Sequence, residues 1–456
     1  MSTGIGIGIA GDAFQTRAGL GSAITIATLS AISGKGTEQE IVTAAIQGTS
    51  GNPQCGGAVE LQLGRYVAYH GQLANADNQN VRCNGVTQSG STLTLSTSQQ
   101  DIFNGTADLD PYGRGQACGA VALNSTQCLI VAPEVGTGNV FKLVEYKGGT
   151  NNLSIISTFN DGDTSNYVDR FPRFAVLAVS GSVYTVASVG LTLSGAKPYA
   201  RVWDVDVSAG SATSRGILYP NGVSGSGAAQ AELVNLGTVG GKECFAIFYG
   251  NSTANFGVLY YAVYEYNTST NTLVEVIGDT FYQSGSNSCN VDFQYKIEDG
   301  RSLICYQENN AASHVAGCIY DGTTFTIGTR ASIGSSGNQV HYPSIRPYYN
   351  GSENSTTQFI MGVALNRNSS SAPKKYNVFP VNYDKSANTF DLTEFNGANS
   401  EDVLLDASNT SGTGGIQDRA FIGQQDSENG TMMGVQRDLV GTFRGIKGNS
   451  FEMTTA

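Results

Sequence analysis

Long apolar runs are missing from this chain of 456 residues. The longest near its start, residues 23–32, is roughly half of what a membrane-spanning helix needs, so no membrane insertion is expected. No basic stretch precedes it, so no secretory signal is expected either. Clustered Lys and Arg are also missing. The 25 basic residues are outnumbered by 37 acidic ones, for a net charge of −12. Phosphate backbones are bound by grouped cations, so nucleic acid is excluded as the main partner. Charged residues are only 14% of the chain. The eight cysteines, at 55, 83, 118, 128, 244, 289, 305 and 318, form no C-x-x-C pair. Zinc and redox motifs are therefore absent, and buried thiols packing as small hydrophobes are expected. Cys305 and Cys318 are the pair placed to face each other on neighbouring strands. Only three histidines occur, with no G-x-S-x-G elbow beside them, so nothing reads as a nucleophile–base pair. Trp203 is the sole tryptophan, and the residues before it exclude the S-x-D-x-G-x-x-W box of sialidase-type propellers.

What is abundant is turn and strand material. There are 58 glycines, 22 tyrosines and 19 phenylalanines. Gly, Ser, Thr and Asn separate short runs of Val, Ile, Leu, Tyr and Phe, the texture of many short strands joined by many turns. One hairpin mark recurs, an apolar strand end, a short polar turn and a new apolar strand. It occurs at residues 86–93, 146–153, 207–217, 266–273, 320–325, 383–390 and 446–451. Its last residues step by 60, 64, 56, 52, 65 and 61. Two further apolar runs precede each mark, such as 231–236 and 244–249 before 266–273. Each unit is thus four strands in about 60 residues. A four-stranded sheet cannot bury both faces alone, and radial packing of seven such sheets does so while leaving only short edges. The expectation is an all-β, seven-bladed β-propeller over residues 53–456. An aromatic followed by an Asn/Gly turn closes several units, as at Phe103, Phe159, Tyr219, Phe281 and Phe395.

Residues 1–52 do not match the unit and are expected to form an extended docking or closing segment. The opening alternates Gly and Ile, so a strand there would place Ile5, Ile7 and Ile9 on one side and glycines on the other, a surface suited to close approach by a partner. Residues 35–47 could hold a short helix. Residues 450–454 are expected to form the last blade's outer strand, with the 24–32 run as a possible closing strand.

No catalytic, cofactor or metal site is predicted. Gly6–Gly11 matches G-x-G-x-x-G by letter but lacks the strand, helix and βαβ unit that a dinucleotide site needs. Asp108/Asp110 and Asp161/Asp163 are turn residues that could offer oxygens to Ca²⁺, though turn Asp ordinarily serves the backbone. Among carboxylates able to face one another for hydrolysis, Asp163, Asp169, Glu232 and Asp292 stand out but cannot be paired by sequence. Tyr342, Tyr348 and Tyr349 put rings near a strand end and are candidates for stacking on a surface ligand.

The opening GIGIGIAGDAF, followed by blades with F-N-x-G-type connectors, resembles propeller-bearing virion structural proteins of tailed bacteriophages, of the marine and cyanobacterial type. The resemblance covers residues 4–14 and the repeat texture from about residue 53 onward. It implies a tail, fibre or surface component located in the virion and present in multiple copies. Ile5, Ile7, Ile9 and Phe14 would dock to other virion proteins, and the propeller would meet a host-surface glycan or protein. The alternative is a carbohydrate-active depolymerase, or a glycan-binding lectin or adhesin, on the same scaffold. Convergent carboxylates in the channel would favour the enzyme.

Overall fold

The computed structural model describes residues 26–43, 53–73, 79–104, 118–134, 137–150, 152–163, 166–167, 173–192, 197–221, 231–250, 258–284, 289–308, 312–333, 338–367, 374–395, 399–406, 415–437 and 444–456. Among them there is no helix, and every strand pairing is antiparallel.

Seven sheets follow one another as blades of a β-propeller. Blade 4 shows the plan. Ala231–Val239 lies innermost, then Lys242–Gly250, Val258–Asn267 and the outer strand Thr272–Ser284. Blades 2 and 3 repeat it from Gly119–Ala122 and Phe174–Ser180 outward. In blades 1, 5 and 6 the outer position is shared by two short strands, for example Thr92–Leu95 and Gln100–Asn104 in blade 1. Each innermost strand touches the next around the whole circle, including Gly415–Gln424 of blade 7 against Pro53–Gln62 of blade 1. The ring is closed.

Seven apolar clusters lie one at each blade interface. Strand alternation sends successive side chains to opposite neighbours, so both faces of the middle strands are apolar. In Val258–Asn267, Ala262 and Tyr264 join the blade 3–4 cluster, while Leu259 and Val263 join the blade 4–5 cluster. Tyr146, Tyr266, Tyr320 and Tyr383, which open four of the hairpin marks, are buried at these interfaces. The turns that follow them are hairpins between the third and outer strands.

Blade 7 departs from the reading of the sequence. Residues 446–451 form no hairpin but lie inside one strand, Arg444–Thr455, which is the third strand of the blade, so residues 450–454 are not its outer strand. The outer position is filled from the other end of the chain, by Leu29–Lys35 and Gln39–Thr43. Their register runs Ile32↔Met453, Lys35↔Phe451, Gln39↔Gly448 and Thr43↔Gly445. The closing strand thus starts inside the 24–32 run. Residues 29–43 belong to the propeller rather than to a separate leading segment. The short helix expected within 35–47 is replaced at 39–43 by strand. Its Glu, Gln and Ala favour helix, but such local preference is a weak determinant, whereas pairing with Arg444–Thr455 buries Ile41 and Val42 completely in the blade 7–1 cluster. A bulge between Glu40 and Val42 lets these adjacent residues both turn inward.

Cys305 and Cys318 do not face each other. Cys305 pairs with Val315 and Cys318 with Ser302, an odd offset that places them on opposite sheet faces, in the blade 5–6 and 4–5 clusters respectively.

Candidate functional site

Charged residues inside apolar innermost strands are costly unless paired, and at the axis they are paired. Arg346 of blade 6 and Glu60 of blade 1 are both buried, with Gln424 of the intervening blade 7. Arg346 Nε and Nη2 donate to the two Glu60 carboxylate oxygens at 3.0 and 2.7 Å. Its Nη1 donates to Pro347 O at 2.7 Å and to Gln424 Oε1 at 2.6 Å. The Gln424 amide in turn donates to Tyr349 O and Asp426 O. Burial works to lower the Arg346 pKa, but the Glu60 charge outweighs it and holds the value above the ordinary one. Burial, with the Glu60 charge adding to it, keeps the nearby Tyr66 hydroxyl well above its usual range. That hydroxyl donates to Gln88 Oε1 at 3.2 Å.

A second pair lies elsewhere on the inner wall. Arg173, just before Phe174–Ser180, donates from Nε to Glu232 Oε2 at 2.9 Å. Glu232 is the second residue of Ala231–Val239, whereas Glu60 is near the end of Pro53–Gln62. Measured from the following turn, their positions differ by about five residues, on the order of 16 Å of strand. That is wider than the separations at which two carboxylates share one glycosidic bond. The side chains of Asp169 and Asp292 lie outside the described residues.

Asp161 and Asp163 are engaged by protein groups. Arg201, fully buried, reaches them at 3.2 and 3.0 Å and lies over the Trp203 ring at 4.9 Å. Asn139 donates to Asp161 from both its backbone and its side chain. These oxygens neutralise an arginine and order a turn. Among the described residues, no cluster of His, Cys, Asp and Glu has the makings of a metal site.

Ile5, Ile7, Ile9 and Phe14 lie outside the described residues, as do Asp108 and Asp110 and the side chain of Tyr342, which is carried on Asn338–Tyr349. Tyr348 is not a surface ring. It is buried in the blade 6–7 cluster, its hydroxyl donates to Ser427 O at 3.0 Å, and burial pushes that hydroxyl up to about 12. Tyr349 is half-buried, with its hydroxyl on Gly351 O. The Arg346–Glu60–Gln424 group was missed by sequence reasoning. Its only signal was a charge set in each apolar run, Glu60 in AVELQ and Arg346 in PSIRPYY.

The described residues also line a concavity on the rim. A cleft of about 500 Å³ opens where the chain approaches the closing strand, between Ile26–Thr28 and blade 6. Blade 6 contributes Glu353, Thr357, Gln358 and Asn382. Gln358 Oε1 accepts the Leu29 N–H at 3.2 Å, which ties the cleft to ring closure.

No protein-family model and no curated protein matches this sequence. Among solved structures, the chain is similar to a Trypanosoma rangeli sialidase in complex with the inhibitor DANA, at 12% identity and a TM-score of 0.40, over 72% of this chain and 55% of that one. It therefore spans about half the length of that sialidase. It is also similar to the NanB sialidase of Streptococcus pneumoniae, at 11% identity and a TM-score of 0.43, over 91% of this chain and 70% of that one. A Saccharomyces cerevisiae core factor structure matches at 8% identity and a TM-score of 0.43, over 95% of this chain and 63% of that one.

Proposed function

We propose that this chain is a structural component of a bacteriophage virion, of the tail, fibre or surface, which presents its propeller to the host and is held in the particle by its leading residues. The observation that carries this reading is the closure of blade 7. Residues 29–43 complete the ring, and every strand of the described blades is supplied by residues 29 onward. Read as a strand, the Gly/Ile-alternating opening offers a strip that could pair with a neighbouring protein. The described axial carboxylates Glu60 and Glu232 are bonded to Arg346 and Arg173, which favours a scaffold over the depolymerase alternative.

Deleting residues 1–20 tests this. The truncated chain is expected to keep its melting temperature and lose incorporation into particles when co-expressed with the rest of the assembly. Incorporation at the full-length level would overturn the reading.

A further inference from the structure

The rim cleft beside blade 6 is lined by uncharged hydrogen-bonding groups with one exposed carboxylate, Glu353, and no described lysine or arginine. The strong contacts to phosphate, sulfate or an acidic sugar come from Lys and Arg; this lining offers neither, and the Glu353 carboxylate disfavours such anions. Amides and hydroxyls that both donate and accept match a ligand dense in hydroxyls instead. Thr357 and Asn382 are exposed at the cleft. The Gln358 amide is held in one orientation by the Leu29 N–H on its oxygen. Its nitrogen is then 3.5 Å from Asn382 Oδ1, long for a hydrogen bond, so donor capacity remains for a ligand. Ile26, 48% exposed, supplies an apolar patch against which the C–H face of a ring can lie. The volume of about 500 Å³ falls within the range of small-molecule sites.

We infer that this cleft binds a neutral saccharide, with Gln358, Asn382, Thr357 and Glu353 addressing ring hydroxyls and Ile26 forming the apolar wall. This extends the host-presenting role proposed above and names the chemical class of what is met. Because Gln358 is oriented by Leu29, the site exists only in the closed ring. The inference can fail on its own, since incorporation is read from the leading residues and saccharide binding from blade 6.

The test uses the full-length chain on immobilised neutral hexose and N-acetylhexosamine oligosaccharides, with sialylated and sulfated oligosaccharides alongside. Retention on one or more neutral saccharides and none on acidic ones is expected. Thr357→Arg and Asn382→Arg should each weaken that retention at least tenfold, with Thr357→Ala as the milder variant should an arginine lower the melting temperature. Retention on acidic saccharides only, retention unchanged in all three variants, or no retention on any saccharide would overturn the inference.

Discussion

Single residues set how closely neighbouring blades approach. Gly85 lies on the third strand of blade 1, and a methyl group there would meet the Tyr146 ring of blade 2 at 2.4 Å. That ring is buried and its hydroxyl is within 2.8 Å of Thr87 Oγ1, so it cannot swing away. Gly85→Ala is therefore expected to cost about 1–3 kcal/mol, seen as a lowered melting temperature. The hairpin turns show a second residue-level device. Asp206, Asp321 and Asp384 each accept hydrogen bonds from a Ser or Thr two residues on and from the following N–H. Asn267 does the same with an amide. These bonds hold the three carboxyls below their usual range, with Asp206, bonded first by the Ser208 hydroxyl, brought to about 2. A carboxyl whose folded pKa is depressed contributes stability above its unfolded pKa and loses it as pH falls through the folded one. Changing all three to Asn keeps the turn, as Asn267 shows, and removes the linkage. The variant is expected to lose less stability than the parent between about pH 4 and 2, measured by denaturant midpoints. Burial also pushes Cys128 and Cys244 up to about 12. Alkylation by iodoacetamide should not touch them at neutral pH until the chain is unfolded.

Among the elements, the closing strand carries the most consequence. Leu29 and Ile32 pack in the blade 6–7 cluster, and Ile41 and Val42 in the blade 7–1 cluster. Side-chain hydrogen bonds tie it to both neighbouring blades. Asn84 donates to Ile41 O at 2.8 Å, Gln39 donates to Leu93 O at 2.9 Å, and Gln358 receives Leu29 N–H. Without it the strand Arg444–Thr455 would be an exposed edge with unpaired backbone groups. Ile41→Ala is expected to cost about 2–5 kcal/mol. Removal of residues 1–25 should leave thermal unfolding unchanged, while removal of residues 1–43 should abolish the cooperative transition. Circular dichroism melts separate the two outcomes.

On the scale of the whole molecule, the axial ion pair links blade 6 to blade 1 across blade 7 and so acts on ring closure. Arg346→Met alone strands a buried carboxylate and is expected to cost about 3–5 kcal/mol. Adding Glu60→Leu should restore much of the loss, because the unpaired charge is then gone; unfolding midpoints of the two variants decide it. Much of the fold was legible in the sequence for a physical reason. Strand and turn preferences are local, and a unit repeated along the chain makes each apolar run reinforce the reading of the others. In blade 4 the innermost and second strands, Ala231–Val239 and Lys242–Gly250, fall on the runs 231–236 and 244–249 read for them. The candidate site was far less legible. The closeness of Arg346 to Glu60, 286 residues apart, follows from closing a circle, and the rim cleft exists only where residue 26 meets blade 6.

The sequence by itself determined the innermost and second strands and the number of blades, because period-two burial and turn chemistry are written within a few residues of one another. Tertiary structure alone decided where the ring closes. A strand such as Gln39–Thr43, with helix-compatible residues and an irregular burial pattern, acquires its conformation only from the open edge of Arg444–Thr455. The same closure decided that Tyr348 is core, that Arg346 finds Glu60, and that a polar cleft forms beside blade 6. Contacts between distant parts of a chain depend on the geometry of the completed ring, which no local pattern encodes.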